Sequence, residues 1–152
     1  MPKKIFSINK FLSSLKNRDG CFVLLRLLRE DKTLITENFY WLPGNDGNYT
    51  ALQQMKKARL NITATEKQKG KIEVMLTNDA NNPVAFFNRI ALINAQTKQR
   101  ILPAFFSDNY ISILPGESKT ILVDYNTKDA GAEKTLEVYG WNVEEQLIDI
   151  NR

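Results

Sequence analysis

The chain has 152 residues, with 21 Lys and Arg against 17 Asp and Glu, a net charge of +4, one cysteine and no histidine. The lack of histidine excludes Ser-His-Asp and Cys-His nucleophilic sites and every His-based zinc site, and a lone Cys21 builds neither an internal disulfide nor a thiolate metal centre. A composition of 43% apolar and 25% charged residues is that of a globular domain, and the basic residues are scattered along the chain, which argues against nucleic acid as a partner.

Met1-Pro2-Lys3-Lys4-Ile5-Phe6 carries two lysines with no apolar region and no small-residue cleavage site after them, so it does not read as a signal peptide. The longest apolar run, Cys21 to Leu28, is broken by Arg26 and falls short of transmembrane length, so no membrane partner is expected. Ile5 to Ile8 reads as a short strand, and Lys10 to Asp19 as a connection with one helical turn. Cys21 to Arg29 and Thr33 to Leu42 are strands joined by the polar turn Glu30-Asp31-Lys32, a hairpin. Val23, Leu25 and Leu27 share one of its faces; Phe22, Leu24 and Leu28 share the other with Arg26. Both faces need cover. Cys21 reads as a small buried hydrophobe.

Pro43 to Asn48 packs one Pro, two Gly and three Asn or Asp into six positions and makes the clearest break in the chain. A turn of helix is expected from Thr50, with Thr50 capping it. From Ala58 onward the pattern is strand after strand. Ala58 to Thr65 and Lys71 to Asn78 alternate cleanly, with Leu60, Ile62 and Ala64, then Ile72, Val74 and Leu76, facing inward. Val84 to Asn94 places Val84, Phe86, Ile90 and Leu92 on one face, with Phe87, Ala91 and Ile93 around Arg89 on the other. Arg100 to Phe106 and Tyr110 to Leu114 are shorter strands. Ser118 to Asn126 turns Ile121, Val123 and Tyr125 inward, and Asn126 to Glu133 is a loop. Lys134 to Val143 carries Leu136 and Val138 on one face and Tyr139 and Trp141 on the other, and Glu144 to Ile150 adds a further strand. About seven strands after residue 58, with turns every 8–12 residues, predict an immunoglobulin-like β-sandwich. Residues 1–42 then read as the closing strands of an incomplete upstream β-sandwich, 43–57 as a linker and 58–152 as the complete sandwich. The alternative is one larger sandwich built from all the strands.

Few residues suggest chemistry. Glu144 and Glu145 are adjacent on a strand and point to opposite faces, so they cannot act as a catalytic pair. Asp108, Asn109 and Tyr110 form a loop suited to a sugar or interdomain contact, although an Asx-turn between strands explains the same residues. Tyr139 and Trp141 are candidates for the same role as an exposed aromatic pair. Pro115-Gly116 is type II turn chemistry and Gly44-x-x-Gly47 lacks the context of a phosphate loop. Asn48-Tyr49-Thr50 and Asn61-Ile62-Thr63 match the N-glycosylation pattern, which is too short to assign a role.

Six phrases occur in one order: Asn38-Phe39-Tyr40-Trp41-Leu42, Tyr49-Thr50-Ala51-Leu52, Val84-Ala85-Phe86-Phe87-Asn88-Arg89-Ile90, Arg100-Ile101-Leu102-Pro103, Ser107-Asp108-Asn109-Tyr110 and Leu114-Pro115-Gly116-Glu117-Ser118. The series resembles the C-terminal immunoglobulin-like region of glycoside hydrolase family 2 enzymes of the exo-β-D-glucosaminidase and β-mannosidase type. The resemblance implies a large parent with a (β/α)₈ barrel holding two catalytic glutamates, working in the periplasm or outside the cell. The barrel is not in this chain, so no catalytic residue carries over and no cofactor or metal is expected. The expected role is a non-catalytic accessory domain that packs on the remaining domains of the hydrolase and lends a loop to its cleft. Two rival readings are a free-standing carbohydrate-binding or protein-interaction module and a complete small enzyme. Residues 1–42, with two apolar faces, are expected to self-associate or to fold back onto the C-terminal sandwich.

Overall fold

Strict two-residue alternation with one apolar face is the strongest pattern in the chain, and it produces the centre of the fold. In a computed structural model, which describes residues 20–44, 46–126 and 133–151, the chain forms two compact units, Met1–Met55 and Lys56–Arg152. The strand expected at Ile5 to Ile8, the helical turn within Lys10 to Asp19 and most of the loop Asn126 to Glu133 lie outside the described residues.

The first unit contains a two-stranded antiparallel sheet of β1 (Gly20–Leu28) and β2 (Leu34–Pro43). Its register sets Phe22 opposite Trp41, Leu24 opposite Phe39 and Arg26 opposite Glu37 on one face, with Val23 opposite Tyr40 on the other. Arg26 Nε donates to Glu37 Oε2 at 3.1 Å, and the Phe22 and Phe39 rings lie 5.3 Å apart. Leu25, Leu27, Leu28, Leu34, Ile35, Tyr40 and Trp41 are all exposed. At the turn, Asp31 Oδ1 accepts from the Thr33 amide and hydroxyl, which holds the Asp31 carboxyl below the usual carboxylate range. A short 3₁₀ helix spans Thr50–Gln54. The capping expectation is corrected here: Thr50 caps nothing, and Asn48 Oδ1 instead accepts from the Thr50 amide and hydroxyl. Asn is as good an acceptor in that position as Thr, and its longer side chain reaches the amide two residues on.

The second unit holds eight strands: β3 (Leu60–Gln68), β4 (Lys71–Asn78), β5 (Ala85–Asn94), β6 (Ala104–Phe106), β7 (Ile111–Ile113), β8 (Ser118–Tyr125), β9 (Lys134–Tyr139) and β10 (Gln146–Asn151). They are hydrogen-bonded in the order β6-β8-β4-β3-β10-β9-β5-β7. This ladder closes on a single core, so the result is the expected immunoglobulin-like sandwich. One layer contributes Leu60, Ala64, Ile72, Val74, Leu76, Ile121 and Val123, and the other Ala85, Ile90, Leu92, Ile111, Ile113, Leu136 and Val138. Cross-strand pairs Val74–Ile121, Ile72–Val123 and Leu92–Leu136 stack these side chains. β10 joins the layers, antiparallel to β9 and parallel to β3 at Ile150–Ala64. At Leu114 to Glu117 the expected turn is present: Gly116 has φ of 77° and the Glu117 amide donates to Leu114 O at 3.1 Å.

Two alternation readings are corrected. In β5, Ala85 pairs with Ile113 but Asn88 pairs with Ile111, so β5 carries one extra residue against β7. This bulge shifts the face: Ala85 and Asn88 point into the core ahead of Ile90 and Leu92, while Phe86 is buried outside the core cluster. In the last hairpin, β9 ends at Tyr139 and the Gly140 amide donates to Val143 O, so Tyr139 and Trp141 do not share a strand face.

Gly140 is at that turn because nothing larger fits. A Cβ there would lie 2.4 Å from Asn88 Oδ1 and 2.9 Å from Phe86 O. Gly140→Ala is therefore expected to destabilise the sandwich by about 1–3 kcal/mol, read as a fall in the thermal midpoint of roughly 4–8 °C per kcal/mol for a domain of this size. An unchanged midpoint would mean that the β5 bulge moves freely.

Candidate functional site

An inserted residue in a strand leaves backbone groups without ladder partners, and those groups must be paired elsewhere. At the β5 bulge asparagine side chains do this. Asn88 Nδ2 donates to Ala85 O at 2.8 Å and to Ile111 O at 3.0 Å, closing the gap in the β5–β7 ladder. Asn142 Oδ1 accepts from the Phe86 amide at 2.9 Å, and its Nδ2 donates to Lys56 O and Val84 O. The Trp141 amide donates to Phe86 O at 2.9 Å. Asn109 acts as an extra ladder residue for β5: its Oδ1 accepts from the Ile90 amide and its Nδ2 donates to Ile90 O, both at 2.9 Å. Far along the core, Asn78 Nδ2 spans Pro83 O and Ile113 O in the same way.

This scaffold sets the backbone of two aromatic residues in the left-handed region. Phe87 and Tyr110 both have φ of 55°, a conformation that costs an L-residue about 1–2 kcal/mol. The Phe87 amide donates to Ser112 Oγ at 3.2 Å, and the Tyr110 amide to Asn109 Oδ1 at 2.9 Å. Their rings meet at 5.2 Å between centroids with a 42° tilt, yet Phe87 is 38% exposed and Tyr110 52% exposed.

Asp108 is exposed and its Oδ1 accepts from the Asn109 amide at 2.8 Å. Asn109 has both polar ends of its carboxamide on Ile90. Tyr110 is brought against Phe87, a residue the alternation pattern did not single out. Trp141 is exposed in the turn after β9, its backbone tied to Phe86. Tyr139 belongs to another group, on the outer face of β5 and β9. There Arg89, only 8% exposed, donates from Nη1 to Glu137 Oε2 and to the Tyr139 hydroxyl, both at 2.9 Å. Burial works against the Arg89 charge, but the Tyr139 hydroxyl and the Glu137 carboxylate outweigh it and hold the guanidinium above its usual pKa. A shallow groove beside it is lined by Lys98, Arg100 and Glu145 as well. A second cleft is lined by Glu66, Tyr125, Glu133, Lys134 and Asp149, with the Tyr125 hydroxyl donating to Glu66. The signal for the missed residues is Phe86-Phe87-Asn88: a polar residue breaking a strand whose two faces both read apolar.

Set against known proteins, residues 38–143 match the model of the exo-β-D-glucosaminidase Ig-fold domain. This chain belongs to that family. An exo-β-D-glucosaminidase of Arthroderma benhamiae is 30% identical over 151 aligned positions, covering 88% of this chain and 17% of the relative. A mannosylglycoprotein endo-β-mannosidase of Lilium longiflorum is 26% identical, covering 98% of this chain and 22% of the relative. Among solved structures, one of the exo-β-D-glucosaminidase CsxA superposes with a TM-score of 0.72 at 22% identity over 87% of this chain and 18% of its own. Amycolatopsis orientalis exo-chitosanase CsxA gives 0.68 at 20% over the same shares. The chain thus spans about a fifth of these relatives' length. It is an immunoglobulin-fold accessory domain of the family 2 hydrolase type that its ordered phrases resemble.

Removing the Asn142 carboxamide strips partners from the Phe86 amide and from the Lys56 and Val84 carbonyls at once. Asn142→Ala is expected to lower stability by about 1–3 kcal/mol or more, measured by chemical denaturation. A loss below about 0.5 kcal/mol would show that water replaces the side chain there.

Proposed function

We propose that this domain packs, without catalysing, on the other domains of a longer family 2 glycoside hydrolase, and that the loop from Ser107 to Tyr110 lies against those domains beside the substrate cleft. The observation that carries the reading is the family match over residues 38–143 in a chain spanning about a fifth of its relatives. The relatives' names point to glucosamine- and mannose-bearing glycans as the substrate class of the whole enzyme. Its expected retaining chemistry needs two carboxylates across a substrate, which belong to the barrel that the resemblance implies. In this reading the enzyme works in the periplasm or outside the cell.

The rival is a free-standing carbohydrate-binding module using Tyr139 and Trp141. The geometry favours the accessory role: Tyr139 has its hydroxyl on Arg89 and Trp141 sits in a separate turn, so the two do not form one platform. The purified chain is expected to release no p-nitrophenol from aryl β-D-glucosaminide or β-mannoside above the buffer rate, and to give no heat on titration with chitosan or mannan oligosaccharides. Millimolar or tighter binding that disappears in Trp141→Ala would establish the module instead.

The first unit supports a further part of the proposal. A two-stranded sheet alone is at best marginal in water, and β1 and β2 expose apolar side chains on both faces. We propose that β1 and β2 complete a sandwich with strands from the rest of the enzyme, and that without those strands the chain self-associates through β1 and β2. Light scattering at tens of micromolar is expected to show dimers or larger species that dissociate when Leu25 and Leu27 are replaced by Lys. A monomer at all concentrations would rule this out.

A further inference from the structure

We propose that Phe87 and Tyr110 form a docking knob that seats this domain in an apolar pocket on another domain of the family 2 hydrolase; the inference rests on the accessory-domain reading above. Two bulky residues 23 positions apart both adopt φ of 55° and converge to 5.2 Å. Such backbone outliers persist only where the surroundings over-determine them, and they concentrate at sites of contact or function. Here the surroundings are unusually committed. Ser112 Oγ holds the Phe87 amide, the Asn88 carboxamide bridges Ala85 and Ile111, and the Asn109 carboxamide clamps both backbone groups of Ile90 while holding the Tyr110 amide. All of this sets Phe87, resting on Phe86 at 5.8 Å, and Tyr110 at the surface with both rings still partly exposed.

The chemistry favours a protein partner over a sugar. A sugar site needs a flat aromatic face with several polar groups aimed at the ligand. The two rings are tilted 42° and make a wedge, and the carboxamides of Asn88 and Asn109 are turned inward onto backbone. An aromatic wedge with one hydroxyl, rimmed by exposed Asp108, has instead the anatomy of an interface hot spot. The partner surface is expected to be an aliphatic pocket with an acceptor for the Tyr110 hydroxyl. The occupant we commit to is the hydrolase itself, because roughly four-fifths of each curated relative that this chain spans lies outside the matched region.

The test incorporates the photo-cross-linker p-benzoyl-phenylalanine at position 110, and separately at 87, 27 and 63, in the tagged full chain expressed in its native cells, and sequences the cross-linked peptides. Positions 110 and 87 are expected to capture peptides of a family 2 hydrolase, of the same or a separate polypeptide, with at least tenfold lower yield from Thr63 on the outer face of β3. Hydrolase peptides from position 27 in the hairpin but not from 110 or 87 would overturn the knob and leave the accessory reading standing. No hydrolase peptide from any position would overturn both, and capture of only a second copy or an oligosaccharide at 110 would overturn the knob. A second variant separates contact from folding. Tyr110→Asn keeps a residue that tolerates positive φ and removes the ring. Its thermal midpoint is expected to stay within about 2 °C of the parent chain, while capture from position 87 drops at least tenfold. A large fall in midpoint with capture unchanged would mean that the ring pair serves the fold alone.

Discussion

The sandwich depends on asparagine carboxamides standing in for backbone. Where β5 bulges, where β9 turns into β10 and where the loop after β6 returns, ladder hydrogen bonds are missing. A carboxamide carries a donor and an acceptor in the geometry of a peptide group, so Asn109 and Asn142 continue the ladder with both ends and Asn88 with its donor. Leaving those backbone groups unpaired would cost more than the pairs themselves contribute. This explains why four asparagines sit in or against the core of a domain whose remaining core is Leu, Ile, Val and Ala.

That arrangement also explains what could be read in advance. β3, β4 and β8 were legible because each has one buried face and keeps a regular ladder through its apolar stretch, so Leu60, Ile72, Val74, Ile121 and Val123 recur at period two. β5 was not. Its second face is covered as well, with Ala91, Ile93 and Arg89 all buried, so periodicity carried no information on which side was core, and a bulge then changed the side midway. The Tyr139–Trp141 pairing failed for a related reason. Its alternation continued through Gly140 on paper, but a glycine chosen for close approach ends the strand. The family was legible from ordered phrases that include these irregular places, such as Phe86-Phe87-Asn88 and Ser107-Asp108-Asn109-Tyr110, because it is there that particular residues are required.

Arg89 illustrates the limit of reading site residues from sequence. The alternation places Arg89 among Phe87, Ala91 and Ile93 but says nothing of what it pairs with. The structure gives it two partners from the neighbouring strand, Glu137 on the diagonal and Tyr139 directly opposite. An ion pair of this kind is weak evidence for net stability, because desolvating both charges offsets much of their attraction. Its firmer consequence is geometric: it fixes Tyr139 against β5 and removes that ring from any shared platform with Trp141.

The same elements connect stability to surface presentation. Gly140 admits Asn88, Asn88 closes the bulge, and the bulge sets the backbone of Phe87. A change at Gly140 therefore reaches the exposed ring through three contacts without touching it. The bulge also decides which way the strain runs. Relaxing the backbones of Phe87 and Tyr110 would disturb the buried hydrogen bond from Asn88 to Ile111 and the part-buried ones from Asn109 to Ile90. Phe87 and Tyr110 are thereby held together as a firmly supported, partly exposed aromatic pair on the surface of the sandwich.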